Sequence, residues 1–159
     1  MHQVDHERFG LLLGQIARSW RVEIDRRLLP FGLTESRWLI LMHLSRNGVP
    51  MTQIELANRV GVKGPTLVRT LDWLEKEGLI ERRSINGDRR AKSIHLCDKA
   101  GPVIKQIEGV AQSVRAEIFV GVDEAELSTC LRIFDHIAQK LGVAAAPRLE
   151  PVRTTVLTD

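Results

Sequence analysis

Arg69 lies on a stretch that reads as a helix, and Arg82, Arg83, Arg89, Arg90 and Lys92 follow it on one that reads as a hairpin. From Arg82 to Lys92, five basic residues face a single acid, Asp88. A guanidinium offers a planar fork of donors to a guanine edge or a phosphate, and an ammonium offers a point charge. The formal net charge of the chain is only +3, so the basic character is local. A local basic patch on a nearly neutral chain points to a polyanion met at one face. The alternative is a solvated hairpin kept soluble by its arginines.

The elements around these residues give them positions. Thr52 and Glu55 have the Thr-x-x-Glu spacing of a capping box and predict a short helix carrying Ile54, Leu56, Ala57 and Val60. Gly61 suits a left-handed turn into a second helix that starts near Lys63 or Pro65 and runs to Gly78. Leu67, Leu71 and Leu74 make its core stripe, while Thr66, Arg69, Thr70 and Trp73 fall on another face. Gly64 and Pro65 permit close backbone approach, Lys63, Thr66 and Thr70 suit phosphates or a thymine methyl, and Arg69 suits a guanine edge. The competing reading pairs Arg69 with Asp72 or Glu75 on a solvated surface.

Leu79 to Ile85 and Lys92 to Leu96 read as strands joined by a tight Asn86-Gly87 turn. That turn would hold Arg89 and Arg90 on a ribbon thin enough for a narrow minor groove, where negative potential is concentrated. Asp88 can fix a guanidinium by a bidentate pair. Arg83 and Lys92 are expected to contact phosphates.

Flanking this middle, Asp5 to Leu29 carries Phe9, Leu12, Leu13, Ile16, Ala17, Trp20, Ile24 and Leu28 at helical spacing. A second helix, capped by Thr34, buries Trp38, Leu41, Met42 and Leu44 and stops at Asn47-Gly48. Beyond the strands, Asp98 or Cys97 opens a helix with Val103, Ile104, Ile107, Val110, Ala111, Val114 and Ile118. Asp123 and Glu126 form another capping box for a last helix ending at Gly142. The fold class expected is mostly α with a small β-wing, in the order α-α-α-α-β-β-α-α: a winged helix-turn-helix flanked by dimerisation helices. The domains expected are an N-terminal dimerisation helix (5–33), the winged unit (34–97), C-terminal dimerisation helices (98–142) and a flexible tail (143–159). The outer helices carry more apolar surface than so small a unit covers, which predicts a two-fold homodimer.

The 159 residues are 43% hydrophobic and 27% charged, ordinary for one globular domain. Cys97 and Cys130 stand apart without metal-ligand spacing, and the five histidines form none either. No nucleophile motif or phosphate loop occurs; Gly61 to Gly64 is too short for one. The expectation is therefore no enzyme, no metal and no cofactor, in a soluble, cytoplasmic chain with no membrane segment.

The hairpin and helix junction, Asp88-x-Arg90-x5-Leu96-Cys97-x3-Gly101, resembles the wing signature of the MarR family of bacterial transcriptional regulators. The run PTLVRTLDWLEKEGLIERR, with DRRAK after it and RSWR in the first helix, looks closest to the SlyA branch. The resemblance covers about Asp5 to Leu141. It implies a homodimeric repressor or activator on A·T-rich, pseudo-palindromic double-stranded DNA, with Arg69 reading bases, Arg90 in the minor groove and Asp88 orienting basic side chains. Cys97 stands where the family usually has threonine. The resemblance also implies release by a small aromatic acid, for which Arg18, Trp20, Arg21, Trp38, Met42 and His43 offer walls and cations, although the apolar spacing of Trp20, Trp38 and Met42 also fits ordinary core. A competing sensor is Cys97, should a helix N-terminus lower its pKa. A winged-helix protein-interaction module is the functional alternative, one with no need of arginines at its tip.

Overall fold

The computed structural model of the chain describes residues 5–85 and 88–143, with backbone alone at 88–91. Residues up to Ile118 form one compact unit, and those from Phe119 onward form a second.

In the first unit, α1 (His6–Leu28) opens on Asp5, whose carboxylate accepts the Arg8 N–H at 2.8 Å. Only its C-terminal end is buried, through Ile24 and Leu28. A 3₁₀ turn (Leu29–Phe31) and the left-handed Gly32 (φ 73°) lead into α2 (Glu35–Asn47). Thr34 occupies the cap position of α2, but its hydroxyl makes no capping bond. Its carbonyl takes the Arg37 and Trp38 N–H groups instead. Trp38, Ile40, Leu41, Met42 and Leu44 are buried, and Gly48 ends the helix at φ 69°.

Next comes a strand that the sequence pattern does not announce, β1 (Met51–Thr52). Met51 is 2% exposed and pairs with Ile94, so two residues suffice to seat the start of the next helix on the sheet. That helix, α3 (Gln53–Val60), carries the expected capping box, with the Thr52 hydroxyl taking the Glu55 N–H and the Glu55 carboxylate taking the Thr52 N–H. Leu56 is its buried residue. Ile54 is not part of the core but 76% exposed. Two residues from Leu56 is about 200° around a helix, so both cannot face inward. Gly61 turns the chain left-handed (φ 69°) into α4 (Gly64–Lys76), where Leu67, Leu71 and Leu74 are at most 1% exposed.

β2 (Ile80–Ile85) and β3 (Asp88–Leu96) complete an antiparallel sheet in the order β1-β3-β2. β3 starts four residues earlier than Lys92. The register jumps from Ser84↔Lys92 to Ile85↔Asp88, which inserts Arg89, Arg90 and Ala91 on β3 against no residue of β2. An enlarged bulge of this kind bends and twists a strand, and it falls on the expected wing arginines. The expected Asn86-Gly87 turn lies outside the described residues. α5 (Ala100–Ile118) begins later than Cys97 or Asp98, because the carbonyls of those two residues already take the Ala100 and Gly101 N–H groups in a turn. Ala100, Ile104, Ile107, Ala111 and Val114 join the same core as the winged elements, while Ile118 is 46% exposed.

In the second unit, α6 (Glu124–Lys140) starts at Asp123, whose carboxylate accepts the Ala125 and Glu126 N–H groups at 2.9 and 3.1 Å. The Glu126 side chain makes no return bond among the described residues, so the expected box is half formed. α6 buries none of its residues within the chain, and Leu131, Ile133 and the following Leu141 are exposed. Gly142 turns left-handed, and the expected tail lies beyond the described residues except for Val143. Among the described residues no helix is long and apolar enough to cross a membrane.

Candidate nucleic-acid interface

The N-terminus of α4 is open to solvent. Lys63 caps it from an extended conformation with no side-chain capping bond, and Pro65 lies in the first turn. The first N–H groups of a helix have no partner within it, and their dipoles leave that end partly positive. Lys63, Gly64, Pro65 and Thr66 are all exposed there, and so is Arg69 one turn on. The buried leucines fix the opposite side of the helix. The expected interface residues of this segment therefore share one open face, with the exception of Thr70.

Thr70 is 7% exposed. Its hydroxyl donates to the Thr66 carbonyl at 2.8 Å and lies 3.2 Å from the Ser36 hydroxyl of α2. Helical spacing places it beside Arg69, but α2 covers that strip, so Thr70 ties two helices together and is withdrawn from the open face. Trp73 is half-buried, with the Arg37 guanidinium 3.6 Å over its ring, and Arg37 also donates to the Gly32 carbonyl at 2.7 Å. This stack crosses from α2 to α4, and no local sequence signal announces it.

Arg69 makes no ion pair among the described residues; its Nε is 3.4 Å from the Pro65 carbonyl. The carboxylates that would neutralise it are engaged elsewhere. Arg82 on β2 donates to Asp72 at 2.7 Å and to Glu75 at 3.0 Å through Nε, and the Glu75 carboxylate also accepts the Arg82 backbone N–H. Arg82 holds the Glu75 carboxyl below its ordinary range, and Glu75 in turn raises Arg82. The pairing of Arg69 with Asp72 or Glu75 is thus replaced by an arginine from the wing.

The same network lowers the wing's free charge. Arg82 is spent internally, and Arg83 pairs with Glu81, two residues away on the same face of β2. That acid lies one residue before the basic run from Arg82 to Lys92. Arg83 remains 61% exposed, and Lys92 donates to the Ser84 hydroxyl at 3.2 Å. The side chains of Asp88, Arg89 and Arg90 lie outside the described residues, and their backbone is on β3 at the bulge.

The residues expected around an effector differ in burial. Trp38 and Met42 are 6% and 5% exposed and belong to the core. Arg18 is exposed on α1, and His43 is half-buried, its pKa lowered by burial and by Arg46 and Arg59. Arg21 lines a cleft of about 520 Å³ with α2 and the α3–α4 turn. The Cys97 thiol is pushed up by burial and by the Glu81 and Asp98 carboxylates, the reverse of what a reactive thiol needs. Among the described residues no group of three His, Cys, Asp or Glu could hold a metal.

These features have counterparts. The sequence pattern of the MarR family matches residues 33–92, from just before α2 into β3. The solved structure of the transcriptional regulator PA3341 is 48% identical over 84% of this chain and 98% of its own, with a TM-score of 0.77. The crystal structure of MarR is 28% identical over 84% and 97%, with a TM-score of 0.71. A MarR transcriptional regulator from Methanosarcina mazei Go1 shares the fold at 21% identity and a TM-score of 0.73, over 88% and 95%. A winged helix-turn-helix with an open α4, matched through that family's pattern and close over nearly all of a regulator's length, leaves one assignment: the chain belongs to the MarR family of transcriptional regulators.

Proposed function

We propose that two copies of this chain pair and bind A·T-rich, pseudo-palindromic duplex DNA, in the manner of the SlyA-like branch. Each copy places the start of α4 in a major groove and its wing in the adjacent minor groove. The observation that carries this reading is the open face of Lys63, Gly64, Pro65, Thr66 and Arg69, with Asp72 and Glu75 drawn off Arg69 by Arg82. A helix surface meant only for solvent has no use for that diversion. Lys63, Arg83 and Lys92 serve phosphates, Arg69 reads a base edge, and Arg89 and Arg90, oriented by Asp88, serve the minor groove.

Pairing is supported by apolar residues left open on the outer helices: Leu12, Leu13 and Ile16 on α1 are 40%, 38% and 56% exposed. Residues 5–33 and 98–142 would then set the separation of two winged units, and operator binding requires about 34–36 Å between recognition helices. The setting is cytoplasmic, where the genome is. Whether binding represses or activates follows from where the operator lies. An aromatic acid remains the effector class of the resemblance, although Trp38 and Met42 are no longer among its walls.

Selection of bound duplexes from random DNA tests the reading. Enrichment of a two-fold-symmetric, A·T-rich site is the expected result, with Arg69→Ala weakening binding by about 1–3 kcal/mol and relaxing preference at one position per half-site. If about ten phosphates are neutralised, log K should fall with log[salt] at a slope near −9. A complex indifferent to salt, or no enriched site, would return the chain to the protein-interaction alternative.

A further inference from the structure

The cleft that Arg21 lines is chemically unlike the anion site expected there. Its walls are Arg21 and Asp25 of α1, Thr34, Glu35, Ser36 and Leu39 of α2, and Val60 to Val62 of the α3–α4 turn. Two carboxylates face one guanidinium. That guanidinium is already engaged, since Arg21 lies 3.7 Å from the Glu35 carboxylate. Asp25 Oδ1 is enclosed and accepts no hydrogen bond among the described residues. A carboxylate with one enclosed oxygen and no donor is short of partners, and a ligand N–H meeting the group from the cleft would supply one. Leu39, Val60 and Val62 supply an apolar wall, and the Thr34 hydroxyl makes no capping bond with its own helix.

We infer that this cleft binds a small organic cation, an amidinium or ammonium on a compact apolar body, with its N–H groups on Asp25. An aromatic carboxylate would meet Asp25 and Glu35 as like charges. Occupancy bears on the proposed DNA reading, because Val60, Gly61 and Val62 set the entry of α4, and Ser36 holds Thr70 of that helix at 3.2 Å.

The test uses the full chain without DNA and takes benzamidine and benzoate as probes in isothermal titration. Saturable benzamidine binding is expected, weakened about tenfold or more by Asp25→Asn, the loss of one charge-assisted bond. Glu35→Gln serves as a second variant: it releases Arg21 to pair with Asp25, four residues along α1, and should weaken benzamidine as well. Benzoate should not displace benzamidine from the cleft. Benzoate binding that excludes benzamidine, or benzamidine binding untouched by both variants in folded protein, overturns the inference. A separate titration of the selected duplex with and without benzamidine reads the coupling. Failure to bind any duplex would sink the DNA reading while leaving the calorimetric result for the cleft intact.

Discussion

The winged middle and the outer helices treat the same residue types in opposite ways. On α4, Leu67, Leu71 and Leu74 are 0–1% exposed, whereas on α1 Leu11, Leu12 and Leu13 are 38–63% exposed. Both stretches have helical periodicity and comparable apolar content, so periodicity alone does not say where an apolar face will be covered. The winged unit closes its own core with help from α5 and the end of α1. The first half of α1 leaves its apolar residues exposed, and the pairing proposed above would cover them.

The largest test of that contrast is Leu71→Ala against Leu12→Asp. Leu71 is fully buried, and its truncation should cost about 2–5 kcal/mol, read as a lower midpoint in thermal or urea unfolding. Leu12→Asp should leave that midpoint in a monomeric preparation within about 0.5 kcal/mol, as for a surface change. It should instead shift the sedimentation of the wild-type species toward the monomer. Equal loss of folding stability in the two variants would mean that the outer helices are not waiting for a partner.

A second test sits at the junction of helix and wing. Arg82→Ala removes the clamp on Asp72 and Glu75 and leaves two unpaired carboxylates on α4, Asp72 one turn from Arg69 and Glu75 nearly two. DNA affinity should fall by about 1–3 kcal/mol although Arg82 itself faces inward. Removing Asp72 and Glu75 together with Arg82 should recover part of that loss. No recovery would show that Arg82 contacts the duplex directly.

How much of this could be read from the chain depends on the range of the interaction. The Thr52–Glu55 box, Gly61 and the leucine stripe of α4 were legible because each is settled within a few residues by backbone geometry. β1 was not, since two residues after a proline carry no alternation, and pairing with Ile94 and Ser93 makes them a strand. Thr70 sat on the right side of a helical wheel, but a wheel does not show that Ser36 of α2 lies over it. Arg82 looked like part of the polyanion patch, and its partners are seven and ten residues back across a helix-to-strand turn. The exposed residues at the start of α4 follow from helix geometry, and the contacts that draw Thr70, Asp72 and Glu75 away from them do not.

A smaller effect separates the two regions locally. The Thr52 hydroxyl caps α3 within the winged unit, so Thr52→Ala should cost about 1 kcal/mol in the unfolding midpoint. The corresponding change at the outer end, Asp5→Ala, removes the cap of α1 beside residues that are all exposed. It should fray the first turn, seen as faster amide exchange there, with little change in the midpoint. A midpoint loss equal to that of Thr52→Ala would place the start of α1 inside the cooperative unit.

The weakest expected effect lies where the two regions join. Arg26 and Arg27 hold the Glu23 carboxyl down at about 2 against an ordinary 4.5, and Arg27 reaches on to Glu117 of α5 at 2.6 Å. A carboxyl depressed on folding contributes stability above its ordinary range and loses it as pH falls through the folded value. The contribution of this cluster should therefore be intact at pH 6 and fade between about 4.5 and 2, where the unfolded chain binds the proton first. Glu23 is 32% exposed and Glu117 58%, so solvent screens the pair and the slope should be shallow. Glu23→Gln should flatten the acid limb of the unfolding midpoint in that window and leave the neutral-pH fold in place. The α1–α5 pairing would then rest on Ile24, Leu28 and the α5 core residues rather than on charge. If the acid limb keeps its slope in Glu23→Gln, the pH dependence comes from elsewhere, with the Glu75 carboxylate of the wing clamp the next to examine.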